Sequence, residues 1–246
     1  MPRTKRILSS TGYMHIITRG ISRQSIFEED SDYRFFTSML AKYSREFDVK
    51  VCAYCLMSNH VHILVYDKNR QISTMMHKLN TTYSKYFNDK YNRAGYLFQG
   101  RYMNENIESL SYLLIVFRYI LNNPQKACIA SSSEYKWSSY HYYERIDSWI
   151  DTSVIAAQIG NWSNYIEFID KDNDDECMEY CKTKKDDNWA RSVIAKKIKV
   201  SDAREIALFD KDKRNKAISI LKESGLTGNQ IERLTGLSRG IVQRIK

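Results

Sequence analysis

No apolar stretch in this 246-residue chain approaches the roughly 20 residues that a bilayer-spanning helix needs, so no membrane segment is expected. The basic start, Met1-Pro-Arg-Thr-Lys-Arg6, is not followed by an apolar segment, which argues against a secretory signal. Cysteine is scarce: five, an odd count without a framework spacing, predicts a reduced, cytoplasmic protein. Cys52 and Cys55 form a CxxC and Cys177 and Cys181 a CxxxC. The first pair lies in an apolar run that reads as strand, where residues three apart face opposite sides, so zinc there is disfavoured. No Gly-rich phosphate loop of the P-loop type is present. Histidine is as rare as cysteine, with five in all.

What the chain does carry in excess is positive charge. A net charge of +9 and a pI near 9.2 favour a polyanionic partner, nucleic acid first and an acidic membrane surface second. Hydrophobic residues make up 43%, ample for a packed core, and the length allows one or two domains.

Residues 13–18 read as a first strand. Ser31 is placed to cap a helix whose apolar positions Phe36, Met39, Leu40, Tyr43 and Phe47 follow helical spacing. Residues 49–66 form a hairpin turning at Ser58-Asn59. A second helix starts near Ser73, with Met75, Met76, Leu79, Tyr83 and Tyr86 on one side. Residues 102–107 form a short strand, and Ser109 caps a third helix that stops before Pro124. Its apolar face is Leu110, Leu113, Leu114, Phe117 and Leu121, with Tyr112, Tyr119 and Asn123 toward another side. The order β-α-β-β-α-β-α predicts an α+β fold: a ferredoxin-like antiparallel sheet with helices on one face. Residues 135–140 read as an aromatic loop closing that domain. Residues 146–200, which include the acidic run 170–176, read as a helical connection.

Residues 201–246 predict a helix-turn-helix. Thr227 and Gln230 form a capping box with a Leu226–Ile231 staple, Thr235-Gly236-Leu237 makes the turn, and Ser238 caps the last helix. Such units bind protein or DNA. Arg239, Arg244 and Lys246 with Gln243 on the last helix favour DNA, since Arg and Gln suit bidentate contacts to guanine and adenine edges.

His60 and His62 flank Val61 in the hairpin's second strand. Side chains at i and i+2 leave one face, so the two imidazoles converge. They are either half of a metal site or a partly buried pair. A half-open site suits a Lewis acid acting on a phosphodiester. The third helix then offers Tyr119 as a nucleophile, with Asn123 one turn on. A free phenol has a pKa near 10 and needs assistance at neutral pH. Tyr102, beside Arg101, is the competing tyrosine among 18. Lys78, Lys85, Arg93 and Arg101 interleave with Tyr83, Tyr86, Tyr91 and Tyr96, as single-strand binding or an aromatic core face with a basic outer face would require. Arg19 and Arg23 follow the first strand in a Gly-containing loop and are candidate phosphate contacts.

Together, Thr18-Arg19-Gly20-Ile-Ser-Arg23-Gln24 with Ile26-Phe27, Met57-Ser58-Asn59-His60-Val61-His62, Leu97-Phe98-Gln99-Gly100-Arg101-Tyr102, Tyr119-Ile-Leu-Asn-Asn123-Pro124 and Trp137-Ser138-Ser139-Tyr140 resemble single-tyrosine transposases of the HUH endonuclease superfamily. They are most similar to the REP-associated tyrosine type. The resemblance covers residues 8–145; together with the connecting region and the C-terminal helices it gives domains at 1–145, 146–200 and 201–246. It implies cleavage and rejoining of single-stranded, hairpin-associated DNA through a 5′-phosphotyrosine on Tyr119. It also implies Mg²⁺ or Mn²⁺ on His60 and His62, with Asn123 able to join where many relatives have Gln. Members work as monomers or as homodimers. A regulator that binds DNA without cutting, or a replication or mobilisation nickase, are the alternatives.

Overall fold

The computed structural model describes residues 9–143, 145, 148–171, 177 and 187–245. Residues 1–6, Cys181, Lys246 and the acidic run beyond Lys171, all singled out in the sequence, lie outside the described residues. The chain divides into two compact units.

The first unit, residues 1–19 and 26–181, is built on a four-stranded sheet. Its strands are β1 (Tyr13–Arg19), β2 (Lys50–Met57), β3 (His60–Tyr66) and β4 (Met103–Ile107). All pairings are antiparallel, in the order β2-β3-β1-β4, which is the ferredoxin-like plan. Helix α1 (Asp30–Glu46) joins β1 to β2, and α2 (Ile72–Lys90) joins β3 to β4. Both cover one sheet face: Phe36 and Leu40 of α1, and Met75, Leu79 and Tyr83 of α2, pack on Met14, Ile16, Val61 and Ile63.

The strand alternation that aims those residues at α1 and α2 sends His15, His60 and His62 to the opposite face. That second face is covered by α3 (Leu110–Leu121), which runs into the short α4 (Asn123–Lys126), and by α5 (Ser153–Ile159) and α6 (Trp162–Asp170). The sheet is therefore sandwiched, with the two crossover helices on one side and α3 on the other.

Several local expectations are corrected. The cap of α1 is Glu29 rather than Ser31: its side chain accepts from the third helical N–H while Asp32 reaches back to the Glu29 N–H. Leu110, expected on the apolar face of α3, is the first residue of the helix and is 42% exposed, while Val116 and Ile120 are fully buried in the cluster that α3 shares with the sheet and α6. Cys52 and Cys55 do not face opposite ways. A β-bulge between Val51 and Ala53 inserts an extra residue, so both join the α3-side cluster. Burial raises both thiols far above their ordinary range, and among the described residues neither belongs to a group of three side chains that could hold a metal ion.

The aromatic loop does close the domain. The carbonyl of Trp137 accepts from the Leu56 N–H (2.9 Å), and the Ser139 N–H donates to the Tyr54 carbonyl (3.0 Å), covering the open edge of β2. The region expected as a single connection is divided. Tyr165 and Ile169 of α6 are buried in the cluster with Phe117 of α3, whereas α7 (Asp187–Ile198) contributes Ala190 and Ile194 to the C-terminal core.

The second unit comprises residues 20–25 and 182–246. Helices α8 (Lys211–Glu223), α9 (Gly228–Thr235) and α10 (Arg239–Arg244) enclose Ile218, Leu221, Ile231, Leu234 and Val242. Thr227 and Gln230 exchange the two bonds of the capping box (3.2 and 3.0 Å). Gly236 ends α9 at φ 74°, a left-handed conformation that a Cβ would strain. Ser238 sits at the N-cap of α10, but its side chain makes no capping bond. The buried Asp187 carboxylate takes both arms of Arg233 (2.9 and 2.5 Å), and Arg233 also donates to the Ser22 carbonyl.

Candidate active site

Three strands and one helix build the site. His60 and His62 leave β3 toward α3, with ring centroids 4.9 Å apart. His62 is buried, whereas His60, at the strand's start, keeps part of its surface exposed. A third imidazole, His15 of β1, stacks on His62 at 5.1 Å, with its Nε2 2.8 Å from His62 Nδ1. The other nitrogen of His15 lies 3.1 Å from a carboxylate oxygen of Glu105 on β4. The second oxygen of that carboxylate accepts from the Tyr112 hydroxyl of α3 at 2.6 Å. His60 Nδ1 is 2.6 Å from the side-chain oxygen of Asn59, in the hairpin turn.

Tyr119 is 2% exposed, and its ring stands edge-on to both His62 (5.8 Å) and His15 (6.0 Å). The amino group of Lys126 lies over its face at 4.8 Å. One residue after α3, Asn122 ties the helix end to α6, donating to the Ile169 carbonyl (2.9 Å) and accepting from Ser132 (2.6 Å). Asn123 donates its amide nitrogen to the carbonyls of Tyr119 (2.9 Å) and Ile120 (3.4 Å). Its oxygen is therefore the atom it could offer a cation.

Burial favours the neutral form of all three imidazoles. Desolvation pushes His60 down to about 4, with the Arg19 charge adding to it. His62 lies well below the ordinary imidazole range through burial and then the neighbouring rings. Burial also lowers His15 despite the opposing pull of Glu105. Neutral imidazole is the form that ligates metal. In both His60 and His62 it is Nδ1 that is engaged within the protein, which leaves Nε2 as the atom each ring could offer a cation. The donor set therefore fits a divalent cation.

Tyr102 lies elsewhere. Its hydroxyl is bonded to Ser73 of α2 (2.9 Å), and its ring belongs to the cluster on the α1–α2 side of the sheet. Arg19 ends β1 directly opposite His60 in the β1–β3 register. Gln99 brackets it, donating its backbone N–H to the Arg19 carbonyl (2.8 Å) and accepting from the guanidinium. Two separated sequence motifs thus meet at Arg19. Arg101 is exposed just before β4. Arg23 belongs to the second unit. Arg239, Gln243 and Arg244 are all exposed on α10. Tyr83 and Tyr86 belong to the aromatic packing of α2 on α1 (Phe35–Tyr86 4.0 Å). Sequence reasoning misses His15 and Glu105. The available signal is a histidine inside the first predicted strand at the parity of Tyr13 and Ile17.

No helix among the described residues is long and apolar enough to cross a membrane. Comparison with known proteins agrees with this geometry. A family model described as "Transposase IS200 like" matches residues 9–123. The structure is similar to that of a REP-associated tyrosine transposase bound to a REP hairpin, at a TM-score of 0.54 and 16% identity, covering 74% of this chain and 98% of that one. A candidate transposase from Deinococcus radiodurans R1 aligns at a TM-score of 0.34 and 16% identity, over 49% of this chain and 97% of that one, too weakly to carry an argument. No curated relative matches the chain. The sheet, the paired strand histidines and the helix bearing Tyr119 all fall within the segment that is similar to the IS200-like transposase family.

Proposed function

We propose that this protein is a transposase that cleaves and rejoins single-stranded, hairpin-associated DNA with Tyr119 as nucleophile and a divalent cation, Mg²⁺ or Mn²⁺, on His60 and His62. The observation that carries the reading is the edge-on approach of the Tyr119 ring to His62 and His15 on the α3 side of the sheet. Bound at the histidine pair, a divalent cation supplies a Lewis acid that polarises the scissile phosphodiester. The Tyr119 oxygen forms a bond to phosphorus as the bond to the 3′ oxygen breaks. The phenol gives up its proton, the 3′ oxygen gains one, and a 5′-phosphotyrosine remains. Attack by a 3′-hydroxyl reverses these bond changes and rejoins a strand without ATP. Burial of α3 between sheet and α6, with its end tied down by Asn122, holds the phenol in place. Asn123, through its oxygen, is the candidate further ligand.

Arg19, beside His60, is suited to neutralising the phosphate at the cut, with Arg23 and Arg101 as further backbone contacts. The hairpin substrate is taken from the structural neighbour, which is bound to a REP hairpin. The exposed Arg239, Gln243 and Arg244 support reading the second unit as a DNA-binding helix-turn-helix. The test is incubation with Mn²⁺ and single-stranded hairpin DNA, followed by denaturing gels. A covalent protein–DNA adduct is expected with the parent protein, and none with Tyr119→Phe or His60→Ala. An adduct that persists in Tyr119→Phe and disappears in Tyr102→Phe would overturn the nucleophile assignment.

A further inference from the structure

Three histidines converge under α3, and at first sight they form a triad of metal ligands. The hydrogen bonds argue otherwise. Both nitrogens of His15 are engaged, Nδ1 with Glu105 at 3.1 Å and Nε2 with His62 at 2.8 Å, so His15 has no nitrogen left to ligate. We propose that Glu105, acting through His15, and Asn59 are positioning residues that fix the tautomers of His62 and His60, so that both rings present Nε2. The purpose assigned to them rests on the metal-dependent reading above; the tautomers themselves do not.

The directions of the bonds follow from one acceptor. A carboxylate only accepts, so His15 must carry its proton on Nδ1 to bond Glu105. An uncharged His15 then has a lone pair on Nε2. The approach to His62 Nδ1 needs a donor, and His62 supplies it as Nδ1–H. His62 is left with its lone pair on Nε2. The reverse tautomer would put a proton on the atom that must bind a cation. Asn59 does the same for His60 in one step, its amide oxygen accepting from Nδ1–H at 2.6 Å. The residue that orients a metal-bound histidine through its other nitrogen governs both ring angle and basicity.

Glu105 has a second task. Its other oxygen accepts from Tyr112, which stands seven residues, about two helical turns, before Tyr119 on α3. One carboxylate on β4 therefore sets the tautomer of a ligand on β3 and anchors the helix that carries the phenol. The site depends on four separate elements meeting at Glu105 and His15.

The experiment is ¹⁵N–¹H correlation NMR of the five imidazoles in the metal-free full chain, paired with Mn²⁺ titration followed by electron paramagnetic resonance. The parent should show His60 and His62 each as a single tautomer, protonated at Nδ1. His15→Leu removes the acceptor and should leave His62 in mixed tautomers, whereas His15→Gln places an amide oxygen where Nε2 stood and should restore the single form. Mn²⁺ affinity should fall about 10–100-fold in His15→Leu and return to within about threefold of the parent in His15→Gln, the range set by outer-shell partners of metal ligands. Asn59→Ala should disturb His60 and leave His62 unchanged, a second readout in the hairpin turn should His15→Leu fail to fold. The proposal is overturned if His62 in the parent carries its proton on Nε2. It is overturned too if a folded His15→Leu keeps both the single tautomer and the Mn²⁺ affinity. The predicted tautomers in a parent protein that binds no Mn²⁺ would support the relay and overturn the metal-dependent reading instead.

Discussion

At the scale of single residues, Asp32 shows how completely partners can satisfy a buried charge. It has no solvent exposure, yet its carboxylate accepts from Lys90 and Tyr91 (both 2.7 Å), from Tyr86 (3.1 Å) and from the N–H groups of Glu28 and Glu29 (2.9 and 3.0 Å). Burial alone would raise its pKa, but the bonds from Lys90, Tyr91 and the backbone together outweigh it and hold the carboxyl below its ordinary value. A depressed carboxylate contributes stability that is fully present above its unfolded pKa, near 3.9, and lost as pH falls through the folded value. Asp32→Asn should therefore destabilise the fold by about 2–4 kcal/mol at neutral pH, the scale for losing charge-assisted bonds at a buried site. In thermal melts the gap between parent and variant should be constant above about pH 5 and close below about pH 4. A gap unchanged down to pH 2 would contradict the assignment. His60 and His62 are legible in the sequence because their convergence depends only on strand alternation. His15 and Glu105 are not, because their meeting depends on pairing of β1 with β3 and β4, across separations of 47 and 90 residues.

At the scale of elements, periodicity cannot tell how many neighbours an element has. The spacing gives α3 one apolar face, but the helix lies between the sheet and α6, so the side bearing Tyr112 and Tyr119 is buried as well and meets Glu105 and the histidines. The bulge at Val51–Ala53 likewise changes which face Cys52 takes, and nothing local in the sequence marks it. In contrast, the hairpin turn and the Thr227 capping box are local chemistry, and both form where they are expected. The α10 surface carries its own prediction. Arg239→Ala and Arg244→Ala, both at exposed positions, should leave the fold intact. Removing an arginine that pairs with a phosphate should lower the salt slope of DNA binding by about one. Removing one that reads a base edge should cost about 1–3 kcal/mol and relax sequence preference. Binding isotherms at several salt concentrations check this. Unchanged affinity and slope in the double variant would remove DNA from the role of the second unit.

At the scale of the whole chain, the βαββαβ order is readable because each element is long enough to show its period and the order allows few topologies. The stretch from 146 to 200 is not, since its helices belong to two different cores, α5 and α6 to one and α7 to the other. The catalytic proposal draws on the first of these units: a sheet whose one face is given over to packing with α1 and α2, and whose other face presents three imidazoles to the tyrosine helix. The most direct test of that arrangement is mass spectrometry of tryptic peptides after reaction with Mn²⁺ and single-stranded hairpin DNA and nuclease trimming of the adduct. The arrangement predicts a nucleotide remnant on the peptide containing Tyr119, attached through the phenolic oxygen. A remnant on Tyr102, or an unmodified Tyr119 in protein shown to have cut the DNA, would contradict it.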